Sequence, residues 1–324
     1  MARPEVWTLA ELRSAALHRA VAWVTPAARA TVARELEGLG LHLATPAVFV
    51  RDAIDLGVVE SVDTLVVVGG GALMDRAKLL RRARAGSLRL IVVPSIWGSG
   101  AEVSRVAVQG PVEGQPGEGK RIIVDPALVP DVRVEWPELV ARVPQERARL
   151  ASGDAWAHVL EALVSPLAAE DVRRDAAALV QRMLAMPLTQ HADWMECSRR
   201  ACELQARSSV GLVHGIAHTL EAPLRSREPG EGWGHARLCS LFLWPVLRLN
   251  QQASQKWQSH VDAAELESSA LLERARELFS VEDYRRTLPV LVAEWSRVVR
   301  DPCARTNVSV VRPQSLEWFR TLVP

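Results

Sequence analysis

An α/β domain followed by an all-helical domain is the architecture this sequence predicts, and three observations carry the prediction. Over roughly the first 140 residues, short β-branched runs alternate with helix-like segments. From about Gln145 onward helical periodicity continues and strand signals nearly vanish. The length of 324 residues exceeds what one small core needs and suits two domains of ordinary size. The expected division is 1–144, a parallel-sheet domain, and 145–324, a helical domain, with a ligand site in the cleft between them.

Each element has its own warrant. "AVAWV" (Ala20 to Val24) is a short apolar strand, followed by the helical "PAARATVARELEGLG". "DTLVVVGGG" ends a strong strand, "ALMDRAKLLRRARAG" is a helix that stops at Gly86, and "LRLIVVP" is the next strand. Unbroken apolar runs bounded by glycine and proline, with helices between them, indicate a parallel sheet covered on both faces. In the second part, "RARLASGDAWAHVLEALVSPL", "EDVRRDAAALVQRMLAM" and "DAAELESSALLERARELF" repeat at the helical period. "QGPVEGQPGEGKR" and "RSREPGEGWG" read as loops, and no internal repeat is visible.

Composition excludes several classes. The chain is 48% hydrophobic and 24% charged, as in soluble globular proteins, and a net charge of +1 offers no nucleic-acid surface. No apolar run is long enough to span a bilayer, so no membrane partner is expected. "MARPEVWTLAELRSAALHR" mixes acids and bases without an apolar core, so no signal peptide is expected. Cys197, Cys202, Cys239 and Cys303 form no C-x-x-C pair, which suits reduced thiols in a cytoplasmic protein. The excess of tryptophan, 11 against one tyrosine, has no physical account here.

Two glycine loops point to one sheet edge. "VVVGGGALMDRAK" places Gly69, Gly70 and Gly71 between a strand end and a helix start, where backbone can approach a phosphate at a helix N-terminus. "PSIWGSGAEVS" follows the next strand, with Gly98 and Gly100 around Ser99. Neither matches G-x-G-x-x-G or the Walker A pattern, and a tight turn needing positive φ is the competing reading for each. As a pair at successive strand ends they favour a Rossmann-like dinucleotide or phosphate site.

A histidine cluster follows. His214, His218 and His235, three of eight histidines, fall within 22 residues. Asp154 and His158 in "SGDAWAHVLEA" are four apart and share a helix face, and His214 and His218 repeat that spacing. A carboxylate with imidazoles suits Fe²⁺ or Zn²⁺. "HGIAH" lacks the glutamate of H-E-x-x-H, so this is not a zincin. Taken singly, each histidine reads more readily as a satisfied core residue than as a ligand.

Read together, "GGGALMDRAK", "PSIWGSGAEVS", "SGDAWAHVLEA" and "LVHGIAHTLEA" with His235 resemble, in order, the motifs of the iron-containing alcohol dehydrogenase family, in the dehydroquinate synthase-like superfamily. The matches span about residues 60 to 250. The resemblance implies Asp154, His158, His214 and His235 as metal ligands, with His218 near the substrate as the catalytic proton carrier. It implies Gly69, Gly70, Gly71 and Asp75, with Lys78 on the helix behind, and Ser95, Ser99 and Gly100 as the cofactor loops. Glu161 would orient a ligand or be a structural helix residue. The implied reaction is hydride transfer between NADP or NAD and an alcohol, aldehyde or ketone, assisted by a divalent metal. A homodimer through an edge strand is the implied assembly.

The departures point to a specialised substrate. Ala72 stands where the family has serine, and Trp97 precedes G-S-G, where it would stack on a ligand or narrow the site. Thr219 and Glu221 replace a proline and a glycine, and the loop between His218 and His235 is long. Pro26 replaces an aspartate that favours NAD, which permits NADPH, with Arg29 and Arg34 nearby. The substrates considered are natural-product intermediates such as a phosphonate aldehyde or a peptide C-terminal threonine. Two alternatives remain: a lyase or cyclase recycling bound NAD, as in dehydroquinate synthases, and a degenerate, non-catalytic binding partner.

Overall fold

The computed structural model describes residues 3–44, 62–109 and 121–322. It divides into two units, Met1–Pro144 and Gln145–Pro324.

The first unit runs β1 (Glu5–Thr8), α1 (Leu9–Ser14), β2 (Ala20–Val24), α2 (Pro26–Gly38), β3 (His42–Ala44), β4 (Thr64–Gly69), α3 (Gly71–Ala83), β5 (Arg89–Pro94), β6 (Val106–Gln109), β7 (Arg121–Val124), β8 (Val132–Glu135) and α4 (Pro137–Val140). Six strands form one parallel sheet in the order β1-β8-β5-β4-β2-β3. Alternate residues of the central strands feed two cores. Ala22, Val24, Val66, Val68, Ile91 and Val93 pack with Val32 and Leu36 of α2. Val21, Trp23, Leu65, Val67, Leu90 and Val92 pack with Leu73, Met74 and Leu80 of α3. Helices on both faces explain why every residue of β4 is buried and why its sequence is a continuous apolar run. β2 pairs with β3 on one side and β4 on the other, so strand order reverses there. Ligands of open α/β sheets bind at such a switch point.

Pro26 occupies the first turn of α2, as its fixed φ allows, and Arg29 and Arg34 lie exposed on that helix. Five strands were not legible, among them the three-residue β3. β1 and β8 are four-residue segments with no apolar run, and β6 and β7 form an antiparallel pair on either side of "QGPVEGQPGEGKR". Most of that loop, residues 110–120, lies outside the described residues.

The second unit contains α5 (Gln145–Val164), α6 (Glu170–Ala185), α7 (His191–Gln205), α8 (Leu212–Arg227), α9 (His235–Ala253), α10 (Gln255–Ala263), α11 (Ser268–Leu278), α12 (Val281–Arg300), α13 (Pro302–Arg305) and α14 (Leu316–Thr321). α5 is its central helix: every residue from Ala151 to Val164 is buried. It crosses α9 so closely that a Cβ on Gly153 would lie 2.0 Å from Ser240 Oγ, which donates instead to Leu150 O at 2.9 Å. The long loop expected after His218 is corrected. α8 continues through Pro223 to Arg227, leaving only Glu228–Gly234 between the helices. Buried Leu220 and Leu224 carry the helix across a proline that costs it one backbone bond. No helix among the described residues is long and apolar enough to cross a membrane.

Candidate functional site

The parallel sheet puts both glycine loops at one edge. Gly69 pairs with Pro94 in register, and Ser95 N–H donates to Gly69 O at 3.0 Å. The first loop does not use positive φ, because Gly69, Gly70 and Gly71 are absent from the left-handed positions. Its glycines answer to close approach. A Cβ on Gly69 would lie 2.6 Å from Thr25 Cγ2, and one on Gly71 would lie 2.4 Å from Ser99 Oγ. In the second loop Gly98 (φ 118°) and Gly100 (φ 60°) do occupy positive φ, so there the turn itself selects glycine. Gly70 precedes α3 and no side chain caps that helix, so its first turn presents backbone N–H groups at the positive dipole end. That arrangement fits the pyrophosphate of a dinucleotide.

The side chains expected to serve this site do other work. Lys78 is fully buried and its ammonium donates to Ser104 O (3.0 Å), Ser104 Oγ (3.2 Å) and Val106 O (2.9 Å). Its three donors are therefore taken inside the protein, and direct cofactor contact by Lys78 is corrected to positioning of the segment after the second loop. Asp75 Oδ2 accepts from Val108 N–H at 3.0 Å, in that same segment. Ser99 Oγ accepts from Ala101 N–H at 3.3 Å, and Ser95 is half-buried. Trp97 is only 3% exposed, so its ring fills space and has no open face for stacking on a ligand.

In the helical unit three histidines surround one carboxylate oxygen. Asp154 Oδ1, on α5, lies 3.5 Å from His214 Nε2 on α8, 3.7 Å from His235 Nε2 at the start of α9, and 3.7 Å from His158 Nδ1 one turn along α5. These separations are too long for hydrogen bonds. They match the donor–donor edges of a metal tetrahedron, about 3.4 Å when bonds are about 2.1 Å. Asp154 Oδ1 and His214 Nε2 are buried without a hydrogen-bond partner, although buried polar atoms are nearly always paired. A first-row divalent metal fits this donor set.

Neighbouring groups hold the cluster in place. His214 Nδ1 lies 2.6 Å from Glu161 Oε2, and Glu161 Oε1 accepts from Val213 N–H at 2.7 Å. The carboxylate thereby fixes the ring with Nε2 toward Asp154, the usual partner arrangement for a metal-binding histidine. Gly211 makes room for it: a Cβ there would meet Glu161 Oε1 at 2.9 Å. Burial alone would raise the Asp154 carboxyl, but His235, His158 and His214 hold it well below the usual carboxylate range. Burial opposes charge on His214, yet Glu161 and Asp154 outweigh it and raise its pKa to about 9.

His235 depends on the segment before it. Trp233 is buried, its indole N–H donates to Glu228 Oε2 at 2.7 Å, and Arg225 Nε donates to its carbonyl at 2.6 Å. Arg237 lies 3.9 Å above the Trp233 ring and pairs with Asp283 at 2.8 Å. His218 is half-buried and stacks on His235 at 5.1 Å between ring centres, with Nδ1 3.8 Å from Cys303 Sγ. One residue was missed: Cys239, a helical turn after His235, whose signal was the i,i+4 spacing already used for Asp154 and His158. Asp154, His214, His235 and Cys239 offer ligand atoms that all lie within 4.8 Å of one another, a group that does not include His158.

The family model described as iron-containing alcohol dehydrogenase matches residues 45–135. The 1-propanol dehydrogenase of Salmonella typhimurium is 29% identical over 196 residues, covering 56% of this chain and 50% of that protein. The NAD-dependent methanol dehydrogenase of Bacillus methanolicus is 24% identical over 195 residues, covering 52% and 50%. The chain thus matches about half the length of these curated relatives. Among solved structures, maleylacetate reductase from Agrobacterium tumefaciens superposes with a TM-score of 0.76 at 18% identity, covering 100% of this chain and 97% of that one. Iron-containing alcohol dehydrogenase from Thermococcus thioreducens superposes with a TM-score of 0.73 at 18% identity, covering 99% and 98%. The family match and the curated relatives make the chain similar to iron-containing alcohol dehydrogenases over part of its length, and the solved structures share its fold.

Proposed function

We propose that the chain is a metal-dependent NAD(P) oxidoreductase that moves a hydride between the nicotinamide and an alcohol, or the corresponding aldehyde or ketone. The observation that carries this reading is Asp154 Oδ1, buried without a hydrogen bond and set 3.5 to 3.7 Å from three imidazole nitrogens. Bound there, a divalent metal supplies Lewis acidity toward the alcohol or carbonyl oxygen, while the nicotinamide supplies the hydride acceptor or donor.

The remaining work belongs to the chain. Asp154, His214 and His235, with His158 beside them, hold the ion, and Glu161 keeps His214 in the tautomer that leaves Nε2 available. Half-buried His218, stacked on His235, carries the hydroxyl proton toward solvent. The first turn of α3 receives the pyrophosphate on its backbone N–H groups, which needs no cationic side chain. With Pro26 opening α2 just after β2, no acid at that position repels a 2′-phosphate, so NADPH is accepted.

Titrating the metal-loaded protein with NADPH and NADH, followed by tryptophan fluorescence, tests the reading. Saturable binding of either is the expected result, and its strength relative to the other tests the Pro26 argument. A folded, metal-loaded protein that binds neither rules the reading out.

A further inference from the structure

We propose that the thiolate of Cys239 is a ligand of the metal, completing a carboxylate, two-imidazole and thiolate set that favours zinc over ferrous iron. The inference rests on the metal reading above and departs from it in the fourth donor. His158 Nδ1 approaches Asp154 Oδ1 at 3.7 Å, but it is Cys239 that joins Asp154, His214 and His235 in the mutually close group. Cys239 Sγ lies 3.6 Å from His235 Nε2. A tetrahedral ion with metal–nitrogen bonds of about 2.1 Å and a metal–sulfur bond of about 2.3 Å has a nitrogen–sulfur edge of about 3.6 Å.

Two further observations aim at the same point. Asp154 Oδ1 and His214 Nε2 are buried there without hydrogen bonds. Cys239 is fully buried and in no disulfide, and it lies one turn along α9 from His235, so both face one side of that helix. On metal binding the thiol loses its proton to solvent and the sulfur coordinates as thiolate. Thiolate with imidazole selects zinc, whereas carboxylate-rich sets accept harder ions.

Cobalt substitution tests this without reference to activity. The protein as isolated is stripped of metal, loaded with Co²⁺, and its absorption recorded beside that of Cys239→Ser. The expected result is a near-ultraviolet thiolate-to-cobalt charge-transfer band in the unaltered protein that disappears in Cys239→Ser, while the visible cobalt bands persist in both. Visible bands without the charge-transfer band in the unaltered protein overturn the proposal: Cys239 then only hydrogen-bonds His235, and the metal site stands. A charge-transfer band that survives in Cys239→Ser also overturns it, because the sulfur is another cysteine's. No cobalt binding at all removes both the thiolate and the metal reading.

Discussion

The α/β unit and the helical unit build their sites in opposite ways. At the sheet edge the residues named for the cofactor are already engaged by protein: Lys78 with two carbonyls and a hydroxyl, Asp75 with a backbone N–H, Gly69 and Gly71 with the side chains pressed against them. What remains for a ligand is main chain. Around Asp154 the reverse holds, since side-chain atoms converge and two of them, buried, make no hydrogen bond. A backbone site leaves its mark as tight packing around glycine. A metal site leaves its mark as polar atoms that protein does not satisfy.

Substitutions that strike one unit and spare the other sharpen this contrast. The largest effect is expected from Asp154→Ala, which removes the oxygen common to all three imidazole contacts. Metal affinity falls by more than about 100-fold, measured by elemental analysis after dialysis, while nucleotide binding to the α/β unit persists. Glu161→Gln keeps an acceptor for the Val213 N–H but loses the charge on His214, and costs about 10- to 100-fold in metal affinity by chelator competition. Gly71→Ala drives a Cβ into Ser99 and lowers stability by about 1 to 3 kcal/mol. It also weakens nucleotide binding at that loop; urea unfolding and nucleotide titration read the two losses, with metal content unchanged. Arg237→Ala removes the cation above Trp233 and loosens the segment before His235, at about 1 kcal/mol; thermal melting reads that shift. A uniform loss of metal and nucleotide binding in any of these variants breaks the contrast.

Much of this was legible in the chain, for reasons that differ by element. β2, β4 and β5 are apolar runs buried on both faces, so their sequence carries its own signal. β1, β6, β7 and β8 are four residues each, and pairing partners rather than composition make them strands. Asp154 and His214 could be singled out because each begins an i,i+4 pair in a helical segment, and the structure brings both beside His235. Cys239 escaped notice because sulfur was expected only in pairs. Lys78 misled because the number of donors a buried ammonium must satisfy cannot be read from its neighbours in sequence. Pro223 misled because the apolar face of α8 carries the helix past it.

The shared oxygen of Asp154 has one more consequence. The residues around it come from α5, α8 and α9, so an ion held there would add a direct tie to three helices otherwise joined by packing and a few hydrogen bonds. By mass action such an ion stabilises the folded helical unit by about 2.7 kcal/mol when present at one hundred times its dissociation constant. The helical unit's melting temperature would then report metal supply, and starvation for the ion would expose this half of the chain to unfolding and proteolysis. Persistence of the protein would follow the availability of its metal.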